Sequence, residues 1–95
     1  MASEIGTIHY AAYRKSDRLQ RLLALVLDGK PRTTMEIING AGVCAVNSAA
    51  CELRENGFNF LCTRKAAPSI YQLFDIEEAK ALSEQLLAPR DVVNG

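Results

Sequence analysis

Histidine and paired cysteine are nearly missing from this chain of 95 residues. The only histidine is His9, near the N-terminus. The three cysteines, Cys44, Cys51 and Cys62, form no C-x-x-C pair, and they cannot all be bridged within one chain. Structural zinc sites use tightly spaced ligand pairs, so no metal site is expected. Cys44 and Cys51 stand seven apart, about 10 Å along a helix, which is too far for a disulfide. All three read as reduced thiols of a cytosolic protein, and Cys44 and Cys51 as small helix residues rather than a redox switch. No apolar run approaches the ~20 residues that span a bilayer, and no signal-peptide core is expected at the start. Internal repeats and low-complexity segments are lacking. So are a Ser/His/Asp grouping, a Gly-rich phosphate loop before a helix, and paired carboxylates in a cleft context. No enzymatic activity and no cofactor are expected.

Net charge is also missing: 11 Lys and Arg balance 11 Asp and Glu. The balance hides an asymmetry. Residues 1–74 hold nine basic and six acidic side chains, and residues 75–95 hold two and five. A basic body with an acidic tail suits a modest nucleic-acid binder, or simply a solvated surface of mixed sign. With 48% hydrophobic residues there is material for one small core. A domain of this size is marginal unless it docks or dimerises.

Periodicity supplies the elements. Residues 1–15 lack a helical period and read as an arm, with Ile8, Tyr10 and Tyr13 available to pin it to the body. In 16–28, Leu19, Leu22, Leu23, Val26 and Leu27 recur at helical steps behind a Ser16 or Asp17 cap. Gly29 and Pro31 stop this helix. Arg32–Thr34 favour a short strand. Thr33 and Glu36 have capping-box spacing, so a second short helix begins there. Gly40 and Gly42 are expected to make a tight turn around Ala41. A third helix runs from about Cys44 to Asn56, with Val43, Val46, Ala50 and Leu53 as its apolar stripe and Gly57 at its end. Residues 58–64 and 70–74 alternate in polarity and read as a β-hairpin. Asp75, with Glu78 three residues on, is expected to cap a last helix whose stripe is Ile76, Ala79, Leu82 and Leu86. Residues 89–95 are expected to be a loose tail.

The fold class is therefore mainly α with a small β-wing. Three helices plus a β-hairpin give a winged helix-turn-helix over 16–74, with an additional C-terminal helix over 75–88. The chain at this point resembles the small winged helix-turn-helix domains of bacteriophages and prophages. The likeness covers residues 18–74. It is carried by "RLQRLLALVLDGKPRTTMEII", by the pattern "GV-x-x-V-x-x-x-A-x-x-LR-x-x-GF", and by a hairpin ending in "IYQLF". It implies a double-stranded DNA-binding protein in the cytoplasm of a bacterial host, acting as a small transcription regulator or as an accessory factor in recombination or replication. It implies that the third helix, 44–56, enters the major groove and that the hairpin, with its wing at 64–69, contacts the backbone or the minor groove. Where family members often carry a basic residue in that helix, this chain has Ser48 and Ala49.

The helical period turns Ala45, Asn47 and Ser48 outward on the N-terminal part of the third helix, where base reading occurs. Asn47 can pair bidentately with adenine, Ser48 can bond to a base edge or phosphate, and Ala45 can touch a thymine methyl. Such small residues supply little charge, so affinity must come from phosphate contacts. Thr33 and Thr34 offer hydroxyls at a helix N-terminus. Lys30, Arg32, Arg54, Arg64 and Lys65 are the charged candidates, led by Arg64 and Lys65 at the wing tip. Arg54 can instead form an ion pair with Glu52, Glu55 or Asp28. Few base contacts favour a homodimer, and Leu82 and Leu86 of the last helix are the expected interface. The rival reading is a winged-helix protein–protein interaction module without DNA binding. There the face of Ala45, Ala49 and Cys51 meets a partner protein, or the acidic helix mimics DNA or masks the basic face. In a third reading that helix folds over the DNA face as an autoinhibitor.

Overall fold

The computed structural model describes residues 12–88. The Ile8 and Tyr10 anchors, His9, most of the 1–15 arm and the 89–95 tail lie outside the described residues. Ser16 opens the first helix, α1 (Asp17–Val26), its hydroxyl accepting from the Leu19 amide. Leu19, Leu22, Leu23 and Val26 are buried along one face, as their spacing requires. After the turn at Gly29, β1 (Arg32–Thr33) leads directly into α2 (Thr34–Ala41). The start of α2 is a full capping box. The Thr33 hydroxyl accepts from the Glu36 amide at 3.2 Å, and the Glu36 carboxylate accepts from the Thr33 amide at 2.8 Å.

Gly40 does not turn the chain. The helix runs on to Ala41, which is buried, and only Gly42 is left-handed, at φ +68°. Gly40 is instead a close-packing position, because a Cβ there would lie 3.0 Å from Leu25 Cδ1 of α1. Helix α3 (Val46–Glu55) follows, starting two residues later than its periodicity suggested. It ends in a Schellman motif. The Phe58 amide donates to the Leu53 carbonyl at 3.0 Å and the Gly57 amide to the Arg54 carbonyl at 2.9 Å. Phe58 is thereby committed to the helix end, and β2 (Phe60–Arg64) begins two residues further on.

Strand β3 (Ile70–Leu73) lies in the middle of a three-stranded antiparallel sheet of order β1-β3-β2. Phe60 faces Leu73, and Cys62 faces Tyr71, with an irregularity between Cys62 and Arg64. The core joins the inner faces of α1, α2 and α3 to Phe58, Phe60, Tyr71 and Leu73. The described residues thus form a small mixed α/β domain of four α-helices and one antiparallel sheet.

Helix α4 (Ile76–Leu87) begins differently from expectation. Asp75 sits in a left-handed conformation, φ 56°, and its side chain makes no cap. Its carboxylate is drawn to the Asn59 amide at 3.0 Å, a partner 16 residues away. The helix then buries Ala79 and packs Ile76, Leu82 and Leu86 on the core. Tyr13, itself buried, anchors the chain entering α1: its hydroxyl pairs with Ser83 of α4 at 2.9 Å, and its amide donates to Asn56. Among the described residues no helix is long and apolar enough to cross a membrane.

Candidate nucleic-acid interface

The first turn of α3 is held by what it buries. Val43 and Val46 anchor its entry, and Ala49, Ala50 and Leu53 fix its inner face. Ala49 belongs to this face and is fully buried, so the surface formed by Ala45, Ala49 and Cys51 does not exist as one patch. The stripe of 46, 49, 50 and 53 is a complete helical repeat, and the small alanine is where α3 meets its neighbours. Ala45, Asn47 and Ser48 stay exposed, and no side chain caps the turn.

Of these three, Asn47 is the one whose side chain has a hydrogen-bond partner among the described residues. Tyr71 Oη donates to Asn47 Oδ1 at 3.1 Å, linking α3 to the central strand. The Tyr71 ring is 5% exposed and stacks on Phe60. Burial raises the phenol's pKa above its ordinary value, the Cys62 thiol adds to the rise, and Arg54 opposes both. The hydroxyl therefore remains protonated, and a donor, throughout the neutral range.

Between α3 and the hairpin lies an open cleft of about 430 Å³, lined by Asn47, Arg54, Cys62, Lys65, Ser69 and Tyr71. It brings together three of the residues expected from the sequence: Asn47, Arg54 and Lys65. Arg54 reaches it while Nη1 donates to the Phe60 carbonyl at 3.0 Å, so its partner is backbone and none of the three acids considered for it. Glu52 is instead taken by Arg18, which ties α1 to α3.

The remaining candidates divide. Arg64 and Lys65 are exposed and form no ion pair among the described residues, and the same holds for Lys30. Arg32 is committed to Asp28, Nη2 to Oδ2 at 2.7 Å. The Thr33 hydroxyl serves the capping box, and the Thr34 amide donates to the Ser69 carbonyl, which fastens α2 to the wing loop. Neither threonine lines the cleft. Among the described residues no group of three or more His, Cys, Asp or Glu could hold a metal ion, and the three cysteines are free thiols.

Leu82 and Leu86 are directed inward, against the core of the same chain. Leu82 is so close to Gly57 that a Cβ there would lie 3.0 Å from it. Helix α4 meets Tyr13, Gly57 and Asp75, at the C-terminal end of α3 and the open end of the hairpin. Asn47 and the wing loop are at the opposite ends of those elements, so α4 does not cover the cleft.

Tyr71 was not among the residues singled out from the sequence. A buried tyrosine must find a partner for its hydroxyl, and its place in "IYQLF" already assigned it to a strand. What pattern alone does not carry is the pairing with a residue 24 positions away. In comparisons with known proteins, the chain matches no family model, no curated protein and no solved structure.

Proposed function

We propose that this chain is a winged helix-turn-helix protein of phage or prophage type that binds double-stranded DNA, with α3 in the major groove and the hairpin loop on the backbone. Its role would be that of a small transcription regulator or a recombination or replication accessory factor. The element order and the β1-β3-β2 sheet support this architecture. The observation that carries the functional reading is the cleft: it sets exposed Asn47 of α3 beside Lys65 of the wing, and Arg64 next to it is equally uncommitted. Base-edge groups and backbone-holding cations need this adjacency, since phosphate contacts position and base contacts specify.

The division of labour follows from charge. Asn47 and Ser48 offer polar groups to base edges, with Ala45 small enough for close approach. Arg64, Lys65, Lys30 and Arg54 supply the phosphate term. Arg32 and Thr33 contribute less, because their side chains already have internal tasks, and so does the helix-start amide of Thr34, which is given to the Ser69 carbonyl; Arg54, although one Nη1 bond holds it to the Phe60 carbonyl, still lines the cleft. The test is the double variant Arg64→Ala/Lys65→Ala. Binding to duplex DNA should weaken for all sequences alike, and the slope of log K against log salt should fall in magnitude by about 2. Unchanged affinity and slope would contradict the assignment of the wing.

A further inference from the structure

The hydrogen bond from Tyr71 to Asn47 does more than join a strand to a helix. An asparagine side chain presents an acceptor on one side and donors on the other, and by itself it can turn over to suit either. Here the oxygen is held toward the cleft floor by a hydroxyl whose ring is buried and stacked on Phe60. The phenol cannot swing away, burial keeps it protonated, and Asn47 Oδ1 is the one acceptor its hydrogen has among the described residues, so turning the amide over would leave that hydrogen without a protein partner. The amide nitrogen is left facing away from Tyr71.

We infer that Tyr71 is a specificity-setting positioning residue: it locks the Asn47 amide so that α3 presents an N–H donor to the base edge. This deepens the DNA-binding reading and rests on it. A fixed donor selects base-edge acceptors, which purines offer at N7, and it rejects cytosine, whose major-groove group is the N4 donor. The second lone pair of Oδ1 remains available, so adenine, with an acceptor at N7 and a donor at N6, is the best match. Tyr71 itself need not touch DNA.

The test is selection of bound duplexes from a random-sequence pool, run in parallel with the wild-type chain, Tyr71→Phe and Asn47→Asp. The phenylalanine keeps the ring and the Phe60 stacking and removes only the hydroxyl. The wild type should disfavour cytosine at one position by about tenfold or more. Tyr71→Phe should still bind but show that discrimination reduced to about two- or threefold, because the freed amide can turn over. Asn47→Asp, an acceptor that Tyr71 still holds, should reverse the preference toward cytosine. An unchanged selected sequence for Tyr71→Phe overturns the lock while leaving DNA binding intact. A wild type that retains no duplex overturns the DNA reading itself, and the lock with it. If Tyr71→Phe fails to fold, the wild-type selection decides: a chain that binds duplex DNA without disfavouring cytosine at any position overturns the lock.

Discussion

Gly42 controls where α3 points. It is left-handed at φ +68°, and its amide closes α2 on the Ile38 carbonyl. The nearest atom to an added Cβ is Arg21 Nη2 at 3.8 Å, so a side chain would find room but not the backbone conformation. Gly42→Ala should therefore cost about 1–2 kcal/mol from left-handed strain, read as a lower urea midpoint with unchanged slope. Asp28 makes a prediction in pH. The Lys30 amide, and then Arg32, hold its carboxyl below the usual range despite opposing desolvation. A depressed folded-state pKa contributes stability that is present above about pH 4 and is lost as pH falls through the lowered value. Asp28→Asn should thus flatten the loss of stability between about pH 4 and the acid limit, followed by urea unfolding at stepped pH. At this scale the sequence was legible where the partner is local. Thr33 and Glu36 are three apart, and their capping box formed. Asp75 and Glu78 have the same spacing, yet Asn59 took the carboxylate, a competitor that only the folded chain brings near.

Among elements, α4 has the clearest consequence. Its apolar stripe was readable from the sequence, but its destination was not: the same leucines suit a dimer seam or an intrachain core. In the structure Ile76 meets Gly29, Leu82 meets Gly57, and Ala79 is buried. Leu82→Ala should lower stability by about 1–2 kcal/mol, half-burial giving less than a fully buried leucine, and the loss should not change over a tenfold range of protein concentration. A concentration-dependent midpoint would instead support a homodimer through α4. Deleting residues 76–95 should likewise destabilise the fold rather than raise DNA affinity, since α4 and the cleft lie at opposite ends of α3. Helix α3 shows the same limit. Its stripe predicted the buried valine and leucine, while Ala49 was legible as either core or surface because an alanine suits both. Its burial follows from how closely α3 packs, as the glycine at position 40 follows from the approach of α2 to Leu25.

For the whole molecule the balance of charge is the governing fact. Eleven basic side chains meet 11 acidic ones, but the ion pairs Arg18–Glu52, Arg21–Asp17, Arg32–Asp28 and Lys80–Glu77 are internal. Of the described cations outside these pairs, Arg54, Arg64 and Lys65 lie at the cleft and wing, Lys30 precedes β1, and Arg14 and Lys15 precede α1, while the exposed first turn of α3 carries polar groups without charge. Such a protein should bind duplex DNA measurably at low salt and weakly at physiological salt, each phosphate contact contributing about −0.9 to the salt slope. The most direct measurement is a titration of the wild-type chain against a random-sequence duplex, followed by fluorescence anisotropy at several salt concentrations. A log–log slope of about −3 to −4, from roughly four phosphate contacts, is the predicted result. Absence of binding at low salt, or binding indifferent to salt, would contradict the assignment of this cleft to DNA.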